Sequence, residues 1–271
     1  MKAFFKKAAA FILRDLRVAS YYRIGFLLNV FGVFFSILTF YFMSRMIGDN
    51  PSGPLAKYGG GYFGFVVVGM AFTSYLNIAT RGYAATLMQA QYTGTLEAML
   101  MTPTPVGQIV FFSSMYDFLF NSIRVVFYIL VAALFFGMKV SVSGIWSSVL
   151  YLILSIATFS SLGILSAAFI MVLKRGDPLA AAYGTLSYLF AGVFYPISVL
   201  PEWLQYCAKL FPLTWALEGV RMALLNGKGI TETWRDAVAL IIFSAVLWPV
   251  SIVAFKMAVR RAKQDGSLGK F

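Results

Sequence analysis

The chain has 271 residues, of which 60% are hydrophobic and only 12% are charged, and its net charge is +12. In soluble domains about a quarter of the residues are charged, so this chain has too few charged residues to cover a water-soluble fold. The lipid bilayer is therefore expected to surround most of it. Histidine is absent, which removes the commonest general base, proton shuttle and metal ligand. The single cysteine, Cys207, excludes an intramolecular disulfide.

The first predicted element is an amphipathic helix over residues 1–23. Apolar residues from Phe4 to Leu16 recur at helical spacing, with four basic residues on the opposite face. Such a helix lies in the membrane interface with its basic face toward anionic lipid headgroups. The apolar run is too short for a signal peptide, so the segment is expected to be retained. Two interpretations stay open: a simple topological anchor, or a contact for a cytosolic partner.

Six later stretches are apolar enough to cross a bilayer as helices, each close to the roughly 20 residues that a span needs. They cover residues 24–43, 62–79, 112–136, 145–173, 179–200 and 237–259. The predicted fold class is therefore an all-α membrane protein, with a six-span domain over residues 24–259 and a short tail over residues 260–271.

The distribution of Lys and Arg predicts the orientation of these spans. An even number of spans brings both termini to one side, and that side carries about twice as many basic residues as the other. The N and C termini are therefore predicted to be cytoplasmic. The excess charge then lies at the membrane surface, which argues against nucleic acid as a partner and for contact with membrane lipids.

The connection between the second and third spans carries a short predicted helix at about residues 95–101. Thr95 is a suitable N-cap, and Glu97 falls in the first turn, where the helix dipole favours an acid. Pro103 ends the helix. Because a helix of about two turns is marginal alone in water, its own spans or a docking partner must hold it.

Polar residues on one face of the third span are candidates for a role inside the membrane. Asp117, Asn121 and Arg124 follow at helical spacing. An ionisable group at bilayer depth costs about 2.5–3.5 kcal/mol on insertion scales and needs a partner or a wet cavity. Two interpretations stay open: a polar stripe along a transport pathway, or an internal network that stabilises the bundle.

The segment from Phe194 to Trp234 is too apolar for a solvated loop, yet Pro212 cuts it into pieces shorter than a span. We predict short re-entrant extracellular helices at about residues 201–227, between the fifth and sixth spans, shielded by protein or a water-filled cavity. Glu218 and Arg221, three residues apart, could pair on one face of the second piece. The segment is a candidate outer gate, with candidate residues Tyr195, Pro196, Pro201, Trp203, Phe211 and Pro212.

These two non-spanning segments resemble a known family. Gly94-Thr95-Leu96-Glu97 before a Thr-Pro, and the run from Tyr195-Pro196 through Pro201-Glu202-Trp203-Leu204-Gln205 to Phe211-Pro212-Leu213, are similar to permeases of ABC-2 type transporters, the membrane subunits of type V ABC exporters. The similarity extends over nearly the whole chain. It implies that two permease copies, usually identical, enclose a pathway and that two ABC ATP-binding subunits dock below them.

The same resemblance implies roles for particular residues. Residues 95–101 become the coupling helix that seats in the ATPase, and the outer helices cap the pathway. The implied ATPase-coupling residues are Gly94, Thr95, Leu96, Glu97, Met99, Leu100, Pro103, Arg175 and Asp177.

The sequence contains no G-x-x-x-x-G-K-[ST] phosphate loop. ATP and Mg are therefore expected on the partner ATPase subunit, and the chain itself is expected to be neither an enzyme nor a binder of metals or cofactors. The expected function is a permease that exports a drug-like or lipid amphiphile across the bacterial cytoplasmic (inner) membrane.

Three other functions were weighed against this one. A polysaccharide or glycolipid exporter is the alternative within the family. An ion-coupled secondary transporter would want several intramembrane carboxylates or histidines, and a membrane enzyme would want a clustered acid, base or metal site. The chain offers neither pattern.

Overall fold

The computed structural model describes residues 23–48, 53–59, 61–92, 106–173 and 178–264. All the regular structure within these ranges is helical, without a strand. The α-helices are α1 (Arg23–Ile47), α2 (Gly61–Tyr92), α3 (Val106–Phe136), α4 (Ile145–Leu173), α5 (Pro178–Phe190), α6 (Glu202–Ala208), α7 (Pro212–Asn226) and α8 (Trp234–Gln264). Short 3₁₀ helices cover Gly53–Tyr58, Val142–Gly144 and Ile197–Val199.

Four segments of this described part are long and apolar enough to cross a membrane, and they confirm the predicted class of an all-α membrane protein. They are Gly61–Tyr83, Asp117–Phe136, Val142–Val172 and Trp234–Arg261. Helix α1 contributes a shorter apolar stretch, Phe31–Ile47. The two remaining predicted spans, the first and the fifth, therefore rest on the sequence pattern.

The fifth predicted span is the one that differs from the structure. A single helix was expected over residues 179–200, but α5 ends at Phe190. Its 13 residues extend about 20 Å, less than the roughly 30 Å of a bilayer core. The break falls at Gly192, whose φ of +73° suits glycine and few other residues. A Cβ at Gly192 would also lie 2.8 Å from the side chain of Ile197.

Helix α2 forms the centre of the bundle. Its side chains from Phe65 to Val68 and from Tyr75 to Leu76 are fully buried. It packs against α3 and α4, and α4 packs in turn against α8. The approach of α4 to α2 is close because a Cβ on Gly163 would lie only 1.9 Å from the carbonyl oxygen of Ala79. The membrane core is thus built on small residues where helices cross, as expected in lipid.

Helix α7 is short but deeply buried. Pro212 is its first residue, where a missing N–H is tolerated. Gly227 ends it in the left-handed conformation, at a φ of +71°. Its buried side chains include Leu213, Leu217 and Val220. The end of α7 meets two other segments, Gly53–Tyr58 and the loop at residues 137–144, and we call this meeting place the capped end of the bundle.

Candidate functional site at the capped end

The predicted outer-gate segment forms two short helices, α6 and α7, after the break that ends α5. Pro201 precedes α6 and Pro212 opens α7, so both prolines stand at helix starts as the sequence indicated. The ring of Phe211 lies 5.4 Å from that of Tyr183, between centroids, and this contact ties the α6–α7 connection back to α5.

The other candidate gate residues fall into two groups. The Tyr195 hydroxyl donates to the carbonyl of Leu189 in the last turn of α5, and Pro196 is buried just after it. Trp203 on α6, in contrast, is 66% exposed. The first group closes the break after α5, whereas the side chain of Trp203 is mostly exposed.

Arg221 on α7 is the centre of the capped end. Its side chain is only 2% exposed. Its guanidinium donates to three main-chain carbonyls: Nε to Phe65 at 3.1 Å, and the two terminal nitrogens to Gly192 and Val193 at 2.8 Å each. The guanidinium carbon also lies 3.4 Å from the centroid of the Phe65 ring, a cation–π contact. We call this arrangement the Arg221 clamp.

The clamp follows from the break after α5. Gly192 and Val193 follow the last residue of α5, Phe190, so their carbonyl groups lie outside a helix. Buried main-chain carbonyls outside regular structure need donors from elsewhere in the protein. A buried guanidinium meets this need, because its planar fork of donors satisfies several oxygens at once. It joins α7, the first turns of α2 and the chain after α5 into one unit.

Glu218 lies one turn before Arg221 but does not form the predicted pair with it. Its carboxylate accepts a hydrogen bond from the Tyr58 hydroxyl at 2.7 Å and forms a salt bridge with Lys57 at 2.9 Å. The prediction of a Glu218–Arg221 pair was wrong because both residues find partners on other segments. The two contacts of Glu218 tie the 3₁₀ helix Gly53–Tyr58 to α7.

The Tyr58 phenol stays protonated in this setting. Burial raises its pKa, and the neighbouring Glu218 carboxylate raises that pKa further. The phenol therefore remains a hydrogen-bond donor to Glu218 over the physiological pH range. The side chain of Asn226 adds a further bond to the carbonyl of Lys57. At the capped end, hydrogen bonds thus join the 3₁₀ helix Gly53–Tyr58 to α7.

The polar face of α3 looks different from the capped end. Asn121 is 1% exposed, and neither atom of its amide has a hydrogen-bond partner in the described part of the chain. There the Nε of Arg124 is also buried without a partner, and its guanidinium lies 6.0 Å from the centroid of the Tyr128 ring. Asp117 is half-buried. The roles of Asp117, Asn121 and Arg124 stay a prediction.

The predicted ATPase-coupling residues lie outside the described ranges. They are Gly94, Thr95, Leu96, Glu97, Met99, Leu100, Pro103, Arg175 and Asp177. The structure describes the helices on either side of residues 94–103, because α2 ends at Tyr92 and α3 begins at Val106.

Sequence reasoning missed the acceptors of Arg221. They are main-chain groups, far along the chain, so no side-chain pattern marks them. The available signal was Arg221 itself, a charge in an apolar stretch between Val220 and Met222, which requires a partner.

Comparison with protein families identifies a family that covers most of the chain. Residues 9–225 match the model of the ABC-2 type transporter family. The matched range includes α1 to α6 and all but the last residue of α7, and with them the Arg221 clamp. A search of curated proteins finds no match.

Proposed function

The chain belongs to the ABC-2 type transporter family, and we propose that it is the permease of an exporter that carries a drug-like or lipid amphiphile across the bacterial cytoplasmic membrane. Family membership makes it the membrane subunit of an ABC transporter, one that works with an ATP-binding subunit and is not itself the ATPase. The remaining proposals concern copy number, orientation, coupling and cargo.

In the proposed assembly, two identical copies enclose the pathway and two ATP-binding subunits dock on the cytoplasmic side. Both termini face the cytoplasm, as the distribution of Lys and Arg predicts. Helices α1 and α5 then complete six membrane elements, and α6 and α7 form the outer cap. On α1 the side chains of Phe31, Phe35 and Phe42 are each more than half exposed. This apolar surface suits contact with lipid or with the second copy.

One observation carries the mechanism: α2 is continuous from the capped end to the predicted coupling segment. It runs from Gly61 to Tyr92, about 48 Å at the helical rise. The Phe65 carbonyl in its first turns is held by Arg221, and its last turn leads directly into the segment with the coupling residues. A displacement at residues 95–101 that reaches the end of α2 would then be carried along one continuous helix to the Arg221 clamp and the break after α5.

The proposed cycle follows from this continuity. Nucleotide-driven closure of the ATPase pair displaces the coupling helix, and α2 carries the displacement to the Arg221 clamp. Because the clamp joins α2, α7 and the end of α5, the outer cap moves as a unit between closed and open arrangements. Each arrangement must favour a different nucleotide state of the ATPase for the cycle to perform work.

The test is reconstitution with and without the ATP-binding subunit. The permease is expected to copurify with the ATPase encoded beside it, and transport of a fluorescent amphiphile into inverted vesicles should require both subunits and ATP. A Walker-lysine variant of the ATPase, which loses a contact with the ATP phosphates, is the matched control for a subunit without ATP turnover. Transport by the permease alone, without any nucleotide-hydrolysing subunit, would disprove the proposal.

A further inference from the structure

The five tryptophans of the chain fall into two groups. Trp215 and Trp248 are half-buried, and their indole N–H groups donate to main-chain carbonyls at 2.9 and 3.1 Å. Trp146, Trp203 and Trp234 are each more than half exposed, and within the described part of the chain their N–H groups find no acceptor. Trp203 lies on α6, in the candidate outer gate. The other two have no place in the proposed transport cycle.

Trp146 and Trp234 each stand at the start of a segment that is long and apolar enough to cross a membrane. Trp146 lies in the first turn of α4 and is 83% exposed, whereas Trp234 is the first residue of α8 and is 54% exposed. The Tyr151 hydroxyl of α4 donates to the carbonyl of Thr233, directly before α8, at 2.6 Å. Gly144, directly before α4, packs closely against the last turn of α7. Both indoles therefore belong to the capped end.

The exposed surface of α8 changes from polar to apolar within one turn of Trp234. Glu232, just before the helix, is exposed. Further along, the exposed side chains Val238, Ile241 and Ile242 are apolar. An indole ring has an apolar body and a polar N–H, so it suits the level at which such a change occurs.

The length of α8 supports a bilayer boundary at this level. Between Asp236 and Lys256 the helix has 19 residues without a charged side chain. At the helical rise they extend about 28 Å, close to the roughly 30 Å of a bilayer core. A boundary near Trp234 therefore places Lys256 at the opposite boundary. Contact of this surface with a second protein copy would not account for the match.

A basic side chain accompanies the indole on α8. The guanidinium carbon of Arg235 lies 5.8 Å from the centroid of the Trp234 ring, and the Arg235 side chain is exposed. Long basic side chains near helix ends lay their apolar stems on the protein and carry the charge to the level of the headgroups. Tryptophan is also enriched in this layer of the membrane.

We propose that Trp146 and Trp234 insert their indole rings into the phospholipid interface and fix the level of the bilayer at the capped end. The rings lie against the upper part of the acyl chains, and the indole N–H groups donate to ester or phosphate oxygens of the lipids. The partner is thus the phospholipid surface itself. The proposal rests on α4 and α8 and does not depend on the exporter function.

The first test measures depth with spin labels on the full-length chain in phospholipid vesicles. Single cysteines replace Trp146, Trp234, Glu232 or Ile242 in a Cys207→Ser background. Oxygen, which concentrates in the hydrocarbon, and a water-soluble nickel chelate compete to relax each label. The label at 232 should favour nickel, the label at 242 should favour oxygen, and those at 146 and 234 should lie between them. Position 242 is expected to be deeper than 234 by up to about 12 Å, the helical rise over that interval.

Three outcomes of this test would overturn the proposal. Labels at 146 and 234 that are as accessible to nickel as the label at 232 would place the indoles in water. Labels as accessible to oxygen as the label at 242 would place them in the hydrocarbon core. Labels shielded from both reagents would show that protein, such as a second copy, covers this surface.

The second test keeps the indoles and measures their fluorescence. Phospholipids brominated near the headgroup should quench the unaltered chain, and W146F/W234F should lose much of this quenching. The matched control is W215F/W248F, which removes the same number of indoles but only those bonded within the protein. It should keep the quenching by shallow bromine, and Trp203 contributes equally to both variants. Equal quenching of the two double variants by shallow bromine would contradict the proposal.

Discussion

Arg221 shows how a single residue can join three segments. Its side chain is 2% exposed and donates to three main-chain carbonyls. Replacement by methionine leaves those acceptors buried and unpaired, at about 1–3 kcal/mol each. We therefore expect Arg221→Met to lower the unfolding free energy by about 3 kcal/mol or more, measured as a large drop in melting temperature in detergent.

The control for this variant is Lys57→Met at the same end of the bundle. Lys57 is 48% exposed in its salt bridge with Glu218, and exposed ion pairs contribute about 1 kcal/mol or less. Its melting temperature should stay close to that of the unaltered chain. Equal losses in the two variants would mean that the clamp is not the main source of stability at the capped end.

A second residue, Asn121, should respond in the opposite direction. Its amide is buried without a hydrogen-bond partner, so Asn121→Leu removes an uncompensated polar group of similar size. We expect the unfolding free energy to rise by about 1–3 kcal/mol. The neighbouring Ser122→Ala variant should instead lower it by about 1 kcal/mol, because Ser122 accepts a bond from Tyr75 at 3.0 Å.

Transport measured on the same Asn121→Leu protein separates the two interpretations of the polar face. A more stable chain that no longer transports would assign Asn121 to the pathway. A less stable chain would show that the amide has a structural partner in the membrane-embedded protein, contrary to the arrangement of α3 described above.

Sequence-based reasoning assigned the wrong partner to Arg221. Spacing alone suggested a Glu218–Arg221 pair, since residues three apart share a helix face. The real partners of Arg221 are carbonyl oxygens of Phe65, Gly192 and Val193. Every residue offers the same main-chain carbonyl group, and only the position of that group in space makes it a partner. These partners therefore leave no trace in the sequence.

At the scale of elements, the long helices were predictable and the short α5 was not. The predicted fourth span, residues 145–173, coincides with α4, because a long apolar run without proline has few alternatives to a helix in lipid. Residues 191–200 are also apolar, so hydropathy joined them to α5. The left-handed conformation of Gly192, and the hydrogen bonds from Arg221 to the carbonyls of Gly192 and Val193, end the helix before them.

The crossing of α4 and α2 yields a prediction at this scale. A Cβ on Gly163 would lie 1.9 Å from the Ala79 carbonyl oxygen and 2.5 Å from the Tyr83 ring. Because backbone must move to accommodate it, Gly163→Ala should destabilise the protein by about 1–3 kcal/mol. The readout is the melting temperature of the purified chain.

Gly82 on α2 is the matched position for this substitution. A Cβ there would meet its nearest neighbours at 3.7 and 3.8 Å, which is ordinary contact. Gly82→Ala should be neutral or stabilising by up to about 1 kcal/mol, since alanine favours the helix. If Gly163→Ala were equally well tolerated, the close helix crossing would not be a determinant of the fold.

For the whole molecule, the central prediction concerns the coupling segment. Glu97 lies outside the described residues, and its role comes from the resemblance to the family. We expect Glu97→Arg to abolish permease-dependent stimulation of the ATPase, because it reverses the charge at the proposed docking helix. Membrane abundance should not change.

The control is Glu232→Arg, an equivalent charge reversal on an exposed loop far along the chain from the coupling segment. It should leave ATPase stimulation intact. Undiminished stimulation in the Glu97→Arg protein would contradict the assignment of residues 95–101 as the coupling helix.

A second whole-molecule prediction concerns the proposed pairing of two copies. Trp203 on α6 is 66% exposed, so a cysteine at this position, in a Cys207→Ser background, should form an intermolecular crosslink in membranes. The crosslinked fraction should change with the nucleotide state of the ATPase if α6 belongs to a moving cap.

A cysteine at Glu232, which is also exposed, is the comparison site for crosslinking. It is expected to give no nucleotide-dependent change. A Trp203→Cys crosslink that is absent, or equally strong in every nucleotide state, would argue against α6 as part of an outer gate between the two copies.

The three acceptors of Arg221 are all peptide oxygens, and this has a consequence for how the chain can diverge. The guanidinium does not read the side chain of Val193 through its hydrogen bond, whereas Phe65 is also held by its ring contact with the guanidinium. A one-residue insertion or deletion near position 192 would carry the carbonyl oxygens of Gly192 and Val193 away from the donors of Arg221. Relatives that keep this clamp should therefore keep the number of residues between α5 and α6 fixed.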